Sequence, residues 1–211
     1  MTLSDSSKRG DPWNDAIRDA RRARIIEAAA AVFSERGLDG ASVRNIAAAA
    51  GCTTGAIYPL FKNKEEIYAA LLSRSLDELH ERMMAAAREA ATPADRVRAQ
   101  ARCILDFYLE RPPEFALSFY LSAGLKRKGV GELNTVLNDK LATLKDLIEA
   151  ELTEVVGTDQ APVVAAGLFG QIVGLLLMEL RGRFNVFASN PHDLLERCLA
   201  MTLSDPHPAR S

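Results

Sequence analysis

The sequence predicts an all-α protein, with a helix-turn-helix near the amino end and a longer helical region after it. Hydrophobic residues make up 48% of the chain and aromatic residues only 6%, a balance typical of alanine-rich helical proteins. Apolar residues recur at i, i+3, i+4 and i+7 over most of the chain, which is the period of a helix. No segment shows the polar–apolar alternation that predicts a strand.

A first helix is predicted from Trp13 to Gly37. Ile26, Ala29 and Phe33 fall on one side of it, and a glycine is a common helix terminator. The polar residues 1–14 are expected to form a disordered arm, and they lack the apolar core of a signal peptide.

Two short helices are predicted in SVRNIAAAAGCTTGAIYPLFKNK, residues 42–64. Ser42 is a plausible N-cap for the first, whose apolar residues begin with Val43 and Ile46. Gly51 is expected to end that helix, because glycine enters a left-handed turn without a Cβ clash. Thr53 and Thr54 offer hydroxyls to cap the second. Short helices joined by a glycine-containing turn form a helix-turn-helix.

The stretch RIIEAAAAVFSERGLDGASVRNIAAAAGCTTGAIYPLFKNKEEIYAAL, residues 24–71, resembles the N-terminal region of TetR/AcrR-type transcriptional regulators. The resemblance covers about the first third of the chain. It implies a DNA-binding head of three helices followed by a larger helical domain for ligand binding and dimerisation, about nine helices in all. The shared landmarks, which align without gaps, are Ala29, Phe33, Gly37, Ser42, Ile46, Ala47, Ala50, Gly51, Gly55, Tyr58, Phe61, Lys64, Glu65 and Glu66.

Further helices are predicted after the helix-turn-helix. Asn63 and Thr92 are expected to cap the first two, and Pro112 with Pro113 to end the second. The predicted bounds are 63–91, 92–110, a short helix through Phe115, Phe119 and Tyr120, then 132–156, 159–187 and 191–203, with Gly124, Gly129 and Gly131 in a loop and Gly157 ending the helix 132–156. The predicted domains are a head at 15–70 and a helical domain at 71–204, with a disordered tail at 205–211.

Charge is distributed unevenly along the chain. Residues 1–75 carry 11 Lys and Arg and 9 Asp and Glu, a net +2; because the whole chain carries 26 and 28, the remainder carries 15 and 19, a net −4. This asymmetry has the sign expected if the front of the chain meets DNA. Four arginines on the first helix form either a solvated face or a phosphate-contacting arm: Arg18, Arg21, Arg22 and Arg24.

The cysteine pattern predicts a protein of the reducing cytoplasm. Cys52, Cys103 and Cys198 are odd in number and lack CxxC spacing, which argues against a disulfide framework or zinc knuckle. The run from Val163 to Leu180 contains Gln171, Glu179 and three glycines, so we expect a buried helix and not a membrane span.

The resemblance implies that the second helix of the pair enters the major groove. Thr53 and Thr54 can bond phosphate or base, Ala56 allows close approach, and Arg44 can make a bidentate contact with guanine. Tyr58 and Lys64 match family residues that contact phosphate. The alternatives are that Tyr58 only packs its ring and that Lys62 and Lys64 are solvated charges. The full set of candidate DNA contacts is Ser42, Arg44, Thr53, Thr54, Gly55, Ala56, Tyr58, Lys62 and Lys64.

Pro59 and Leu60 depart from the family pattern, which often has polar or aromatic side chains there. Proline lacks an amide and disfavours helical geometry in the residue before it. We therefore expect the second helix to kink or stop early, and sequence choice to depend on Arg44, the threonines and DNA shape.

A symmetric dimer reading two half-sites is expected, because one small helix-turn-helix discriminates poorly. On the predicted helix 159–187, Ala166, Gly170 and Gly174 are spaced by four, which allows close backbone approach. Burial within one subunit is the alternative. On the last helix the candidate interface residues are Leu194, Leu195, Cys198, Leu199 and Thr202.

The middle helices are candidates to hold a small apolar or amphipathic inducer, as family members commonly do. Most of the candidate residues are equally consistent with plain core. They are Met83, Cys103, Phe107, Tyr108, Phe115, Phe119, Tyr120 and Phe169.

We expect no catalytic activity and no cofactor. GxxxxGK[ST], GxGxxG and HExxH are absent, and His80, His192 and His207 lie far apart in the sequence. The rival to a DNA-binding repressor is a protein-interaction module that kept the fold but lost operator binding, which Pro59 favours.

Overall fold

The computed structural model describes residues 12–118 and 130–204, and in these residues it contains ten helices and no strand. The all-α prediction is confirmed. The helices are α1 (Pro12–Gly40), α2 (Val43–Ala49), α3 (Thr54–Ile57), α4 (Lys64–Arg88), α5 (Pro93–Glu110), α6 (Pro112–Ser118), α7 (Val130–Val156), α8 (Ala161–Leu180), α9 (Phe184–Phe187) and α10 (Pro191–Ser204). The chain divides into two compact units, Met1–Leu71 and Leu72–Ser211.

In the first unit, α2 packs against α1 and α3 packs against α2. Gly37 has φ 65° and ψ 176°, which interrupts α1 where the sequence predicted its end. Phe33 and Tyr68 meet edge to face at 5.4 Å between ring centroids, and both are buried. Burying two large rings of this kind supplies much of the packing energy of so small a unit.

Side chains cap the starts of four helices. The backbone N–H groups of Asn45, Glu66 and Asp95 donate to Ser42 (3.2 Å), Asn63 (2.8 Å) and Thr92 (3.1 Å), so these three predicted caps are confirmed. The cap predicted for α3 is wrong, because the side chain of its N-cap residue Thr53 makes no capping bond. Asn190, which was not predicted, accepts from Asp193 N–H at 2.9 Å. Each cap satisfies an N–H group that has no partner within its own helix.

The second unit is organised around α5, which packs against α6, α7, α8 and α10. Its buried face carries Val97, Gln100, Ala101, Ile104, Leu105 and Phe107. Two ion pairs fasten it to its neighbours: Arg96 to Glu151 on α7 at 2.6 Å and Arg102 to Glu196 on α10. The Arg96–Glu151 pair is three-quarters buried, so it restrains the α5–α7 packing more than a surface pair does.

The predicted helix 159–187 is wrong in one respect, because it is two helices. Gly182 has φ 62°, and its N–H bonds to Glu179 O at 2.9 Å while Arg183 N–H bonds to Met178 O at 2.9 Å. These two bonds form a Schellman motif, which ends α8 and separates the four-residue α9. The predicted loop also ends sooner than expected, since Gly131 lies in α7.

One helix in the described ranges, α8, is long and apolar enough to cross a bilayer by length and composition. That test is weak by itself, because the core helix of a water-soluble protein also passes it. Ala161, Ala165, Leu168, Ile172, Leu175 and Leu176 of α8 are buried within the second unit.

Candidate nucleic-acid interface

The turn between α2 and α3 has the geometry predicted for a helix-turn-helix. Gly51 has φ 65°, its N–H bonds to Ala48 O at 3.1 Å, and Cys52 N–H bonds to Ala47 O at 2.9 Å. This is again a Schellman motif. A Cβ at residue 51 would lie 3.1 Å from the end of the exposed Arg24 side chain, which can move aside, so it is the positive φ that favours glycine here.

Burial separates the packing residues of this segment from the residues that face solvent. Ile46, Ala47, Ala50, Ile57 and Phe61 are each 3% exposed or less, as their helical spacing predicted. Six of the candidate DNA contacts, which are exposed and are not helix caps bonded through their side chains, form what we call the outer face; they are Arg44, Thr53, Gly55, Ala56, Tyr58 and Lys62. Thr54 is half-buried, and Ser42 is exposed but bonds to Asn45 through both its donor and its acceptor function.

The outer face carries mostly side chains that are free to meet a ligand. Thr53 is the N-cap residue of α3, yet its side chain makes no capping bond. Tyr58 is 57% exposed. Within the described ranges Arg44 has no ion pair, and Lys62 has one exposed pair, to Glu66 at 3.7 Å. Such a surface pair is weak, so Lys62 can exchange it for a phosphate.

The expected effect of Pro59 is confirmed in part. The helix α3 ends at Ile57, after four residues. The backbone at Tyr58 nevertheless keeps helical angles, φ −57° and ψ −31°, so the predicted loss of helical geometry at that residue is wrong. Leu60 and Phe61 donate their N–H groups to Ile57 O at 2.8 and 3.0 Å, which continues the turn past the proline.

Lys64 does not extend its side chain towards solvent. Its ammonium donates to three backbone carbonyls, those of Leu38 (2.7 Å), Ala41 (3.0 Å) and Asp39 (3.3 Å). An ammonium has three donors, so all of them are used within the first unit. The Lys64 side chain therefore ties the end of α1 to the start of α4, and we remove it from the set of candidate phosphate contacts.

Two arginines of α1 are held by neighbours within the first unit. The Arg22 guanidinium lies 4.6 Å from the centre of the Phe61 ring, a cation–π distance. Arg18 pairs with Asp15 at 3.3 Å, and both side chains are about half exposed. Arg21 and Arg24 are exposed. The solvated face and the phosphate-contacting arm both stay predictions.

The candidate inducer residues lie in the interior of the second unit, apart from Phe119 and Tyr120, which fall outside the described residues. Met83, Phe107 and Phe115 are buried, and Cys103, Tyr108 and Phe169 are half-buried. Burial raises the pKa of the Tyr108 phenol to about 12, with Glu114 adding to the shift. Burial also raises the pKa of the Cys103 thiol, which disfavours a reactive thiolate.

The candidate dimer residues on α8 lie opposite its buried stripe. Val163, Ala166, Gly167, Gly170, Gly174 and Leu177 occupy this outer stripe, and all but the half-buried Gly174 are exposed. A Cβ added at any of the three glycines would meet no atom within 4 Å. No charged residue occurs in α8 before Glu179. The sequence had predicted three of these six positions as interface residues, namely Ala166, Gly170 and Gly174.

On α10 the structure divides the predicted interface residues. Leu195 and Leu199 are fully buried in the subunit, so they are core residues and we remove them from the candidate surface. Leu194, Cys198 and Thr202 are half-buried. Met201, which the sequence reasoning missed, is 64% exposed; its i+7 relation to Leu194 was the available signal.

A helix-turn-helix with an exposed polar face, followed by a larger helical unit, defines a DNA-binding transcriptional regulator. Two family models match the chain: "Bacterial regulatory proteins, tetR family" over residues 25–71 and "Tetracyclin repressor-like, C-terminal domain" over residues 97–202. The chain belongs to the TetR family.

Relatives of known name match part of the chain. The HTH-type transcriptional repressor KstR2 of Mycobacterium tuberculosis is 40% identical over 79 residues, 37% of this chain and 40% of the relative. The HTH-type transcriptional regulator TtgR of Pseudomonas putida is 34% identical over 128 residues, 61% of this chain and 54% of the relative. The chain therefore spans between two fifths and little more than half of these relatives.

Solved structures match over nearly the whole chain. A transcriptional regulator from Rhodococcus sp. Rha1 is 27% identical with TM-score 0.70, covering 87% of this chain and 94% of that one. The regulator FadR of Bacillus subtilis, solved in complex with stearoyl-CoA, is 23% identical with TM-score 0.68, covering 86% and 97%. The FadR likeness establishes the fold alone.

Proposed function

We propose that the protein is a cytoplasmic transcriptional repressor that binds a palindromic operator as a homodimer and is released by a small molecule. The observation that carries the proposal is the outer face of the helix-turn-helix, where polar and basic side chains are exposed while the neighbouring apolar side chains are buried. Phosphate contacts supply most of the affinity of such a face, and base contacts supply its specificity.

Each polar member of the outer face has a distinct role in this proposal. Arg44 reads guanine, because its guanidinium can donate to both O6 and N7. Thr53, whose hydroxyl makes no capping bond, donates to phosphate or touches a thymine methyl. Tyr58 and Lys62 contact phosphate. Gly55 and Ala56 leave room for the backbone to approach the groove.

Dimerisation is proposed through the outer stripe of α8 with Leu194, Cys198 and Met201 of α10. The stripe is apolar and uncharged, and its glycines allow a partner backbone to come close. An uncharged apolar surface of this kind is typical of the centre of an obligate interface. A second copy of the chain would also supply the second half-site reader that specificity requires.

A ligand releases the repressor from DNA if it binds more tightly to a dimer conformation that cannot reach both half-sites of the operator. We propose that a small apolar or amphipathic molecule binds among the helices of the second unit. The aromatic and apolar candidates on α4, α5, α6 and α8 support this proposal, because they make the interior of the unit apolar. The stearoyl-CoA bound by the Bacillus subtilis structural neighbour is one such molecule, and we carry over only its amphipathic character.

Replacing Arg44 with alanine is expected to relax base preference at one position of each half-site. Loss of a bidentate guanine contact costs about 1–3 kcal/mol of discrimination. The measurement is a gel-shift titration against a palindrome selected from random duplexes and against single-base variants of it. Arg36→Ala is the control, since Arg36 is exposed on α1 but belongs neither to the outer face nor to the four arginines of the candidate arm. An unchanged base preference in Arg44→Ala would remove Arg44 from the reading role.

The four-residue α3 and Pro59 favour a second candidate, a protein-interaction module without operator binding. The same titration separates the two functions. A regulator selects a palindrome from the random pool, whereas an interaction module recovers no sequence above the starting pool at low salt.

A further inference from the structure

The four arginines near the start of α1 have different surroundings. Arg18 has an ion pair within α1 at 3.3 Å, and the Arg22 guanidinium lies 4.6 Å from the centre of the Phe61 ring. The side chains of Arg21 and Arg24 are exposed, and neither has a hydrogen bond, an ion pair or a ring contact with any residue of 12–118 or 130–204. Two of the four guanidinium groups therefore keep their donors available for a ligand.

The end of the Arg24 side chain lies at the turn of the helix-turn-helix. Its Nη2 atom is 3.1 Å from the point that a Cβ on Gly51 would occupy, so the missing side chain of this glycine leaves room for the guanidinium beside the turn. Gly51 is exposed and comes two residues before Thr53, where the outer face resumes after the turn. Arg24 therefore reaches from α1 to the border of the outer face.

The charges on both sides of this border favour an anion. Residues 18–27 of α1 carry four arginines and two carboxylates, a net +2. Residues 45–61, which include α3 and the turn before it, carry no charged side chain. An anion that approaches the turn is therefore attracted by α1 and meets no carboxylate of the α2–α3 segment.

Resting on the proposed operator binding, we propose that Arg24 binds a phosphate of the operator beside the turn. A guanidinium can donate two parallel hydrogen bonds to one phosphate. Arg21 is three residues earlier on the same side of α1, and it adds a second contact to the same stretch of DNA backbone. The DNA-binding surface thus extends from the outer face onto α1, while Arg18 and Arg22 keep their contacts within the protein. Phosphate contacts of this kind carry no base preference.

The first test is the salt dependence of affinity for the selected palindrome, measured for Arg24→Met. Loss of one phosphate contact per subunit is expected to make the slope of log affinity against log salt shallower by about 2 in the dimer. Affinity is expected to fall about tenfold or more, by the same factor for the palindrome and for its single-base variants. Arg36→Met, on the same helix, is the matched control and should leave both quantities unchanged. An unchanged slope in Arg24→Met would overturn the inference.

Ethylation of single phosphates locates the contact on the DNA. With the wild type, ethylation of the phosphate that Arg24 binds is expected to interfere with complex formation. With Arg24→Met this interference is expected to disappear at one phosphate in each half-site, because the variant has no contact left to lose there. A general folding defect would lower affinity but leave the interference pattern as in the wild type, and that result would also overturn the assignment.

Arg24→Lys separates the charge from the geometry of the guanidinium. Lysine keeps the charge but not the two-pronged donor, so the wild-type salt slope is expected with an affinity about threefold lower. Arg24→Gln serves as the second neutral variant where Arg24→Met fails to fold. Palindrome selection with the same slope and pattern in every variant would contradict this inference and leave the proposed function intact. A wild type that selects no palindrome would contradict the proposed function itself.

Discussion

Replacing Gly170 with arginine is expected to convert the dimer into monomers and to lower operator affinity at least about a hundredfold, or roughly 3 kcal/mol. Gly170 is in the middle of the outer stripe of α8, where a symmetric interface would bury two copies of the new charge without partners. Leaving one buried charge unpaired costs about 3–5 kcal/mol. Sedimentation equilibrium measures the dimer constant, and gel shift measures the consequence for DNA.

The monomer fold should tolerate this substitution. A Cβ at Gly170 meets no atom within 4 Å, and arginine favours a helix interior over glycine by about 0.8 kcal/mol. Far-UV circular dichroism is therefore expected to show an unchanged helix content. Ala142→Arg, at an exposed position of α7, is the matched control and should remain dimeric. A Gly170→Arg protein that sediments as the wild-type dimer would place the interface elsewhere.

Replacing Lys64 with methionine is expected to destabilise the first unit by about 1.5–3 kcal/mol, the range for loss of hydrogen bonding that involves a charged group. The ammonium bonds to the carbonyls of Leu38, Asp39 and Ala41, and methionine leaves all three without that donor. Urea unfolding followed by circular dichroism measures the loss. Amide exchange is expected to accelerate in α1 and α2 first.

Lys62→Met is the control for Lys64→Met, since the Lys62 side chain is 87% exposed and, among the residues that the structure describes, its one ion pair is with Glu66. Its stability should change by less than about 0.5 kcal/mol. Comparing the two variants thus distinguishes a lysine that stabilises the fold, Lys64, from a lysine proposed to contact DNA, Lys62. Equal stability of both variants would show that the three carbonyl bonds contribute little.

The helix-turn-helix was predictable from sequence because its caps and its turn depend on interactions between residues that are close in the chain. The caps at Ser42 and Asn63 and the left-handed Gly51 depend on residues within four or five positions of each other. The role of Lys64 was not predictable in this way, because its three acceptors lie 23 to 26 residues earlier. A lysine that extends into solvent and a lysine that bonds to the backbone of a distant segment have the same local sequence pattern.

In the last helices, two features were not predicted from the sequence: which apolar residues of α10 are buried, and where α8 ends. The residues of α10 are apolar on adjoining sides, so periodicity alone did not separate buried Leu195 and Leu199 from exposed Met201. The break at Gly182 was missed because apolar residues continue into α9. Gln100 Oε1 and Arg111 Nη1 are buried and have no hydrogen-bond partner among the residues that the structure describes. The sequence carries no signal of this, since satisfaction of a polar group depends on the packed neighbours.

The central claim is that the protein binds DNA as a symmetric dimer, and that the outer face of each helix-turn-helix contacts the phosphates of the duplex. The most direct test is the salt dependence of affinity for the selected palindrome, measured for the wild type and Lys62→Met. Each lost phosphate contact lowers the slope of log affinity against log salt by about 0.9. We therefore expect the Lys62→Met dimer, which loses one contact per subunit, to have a slope shallower by about 2. An identical slope, or a wild-type protein that selects no palindrome, would contradict the claim.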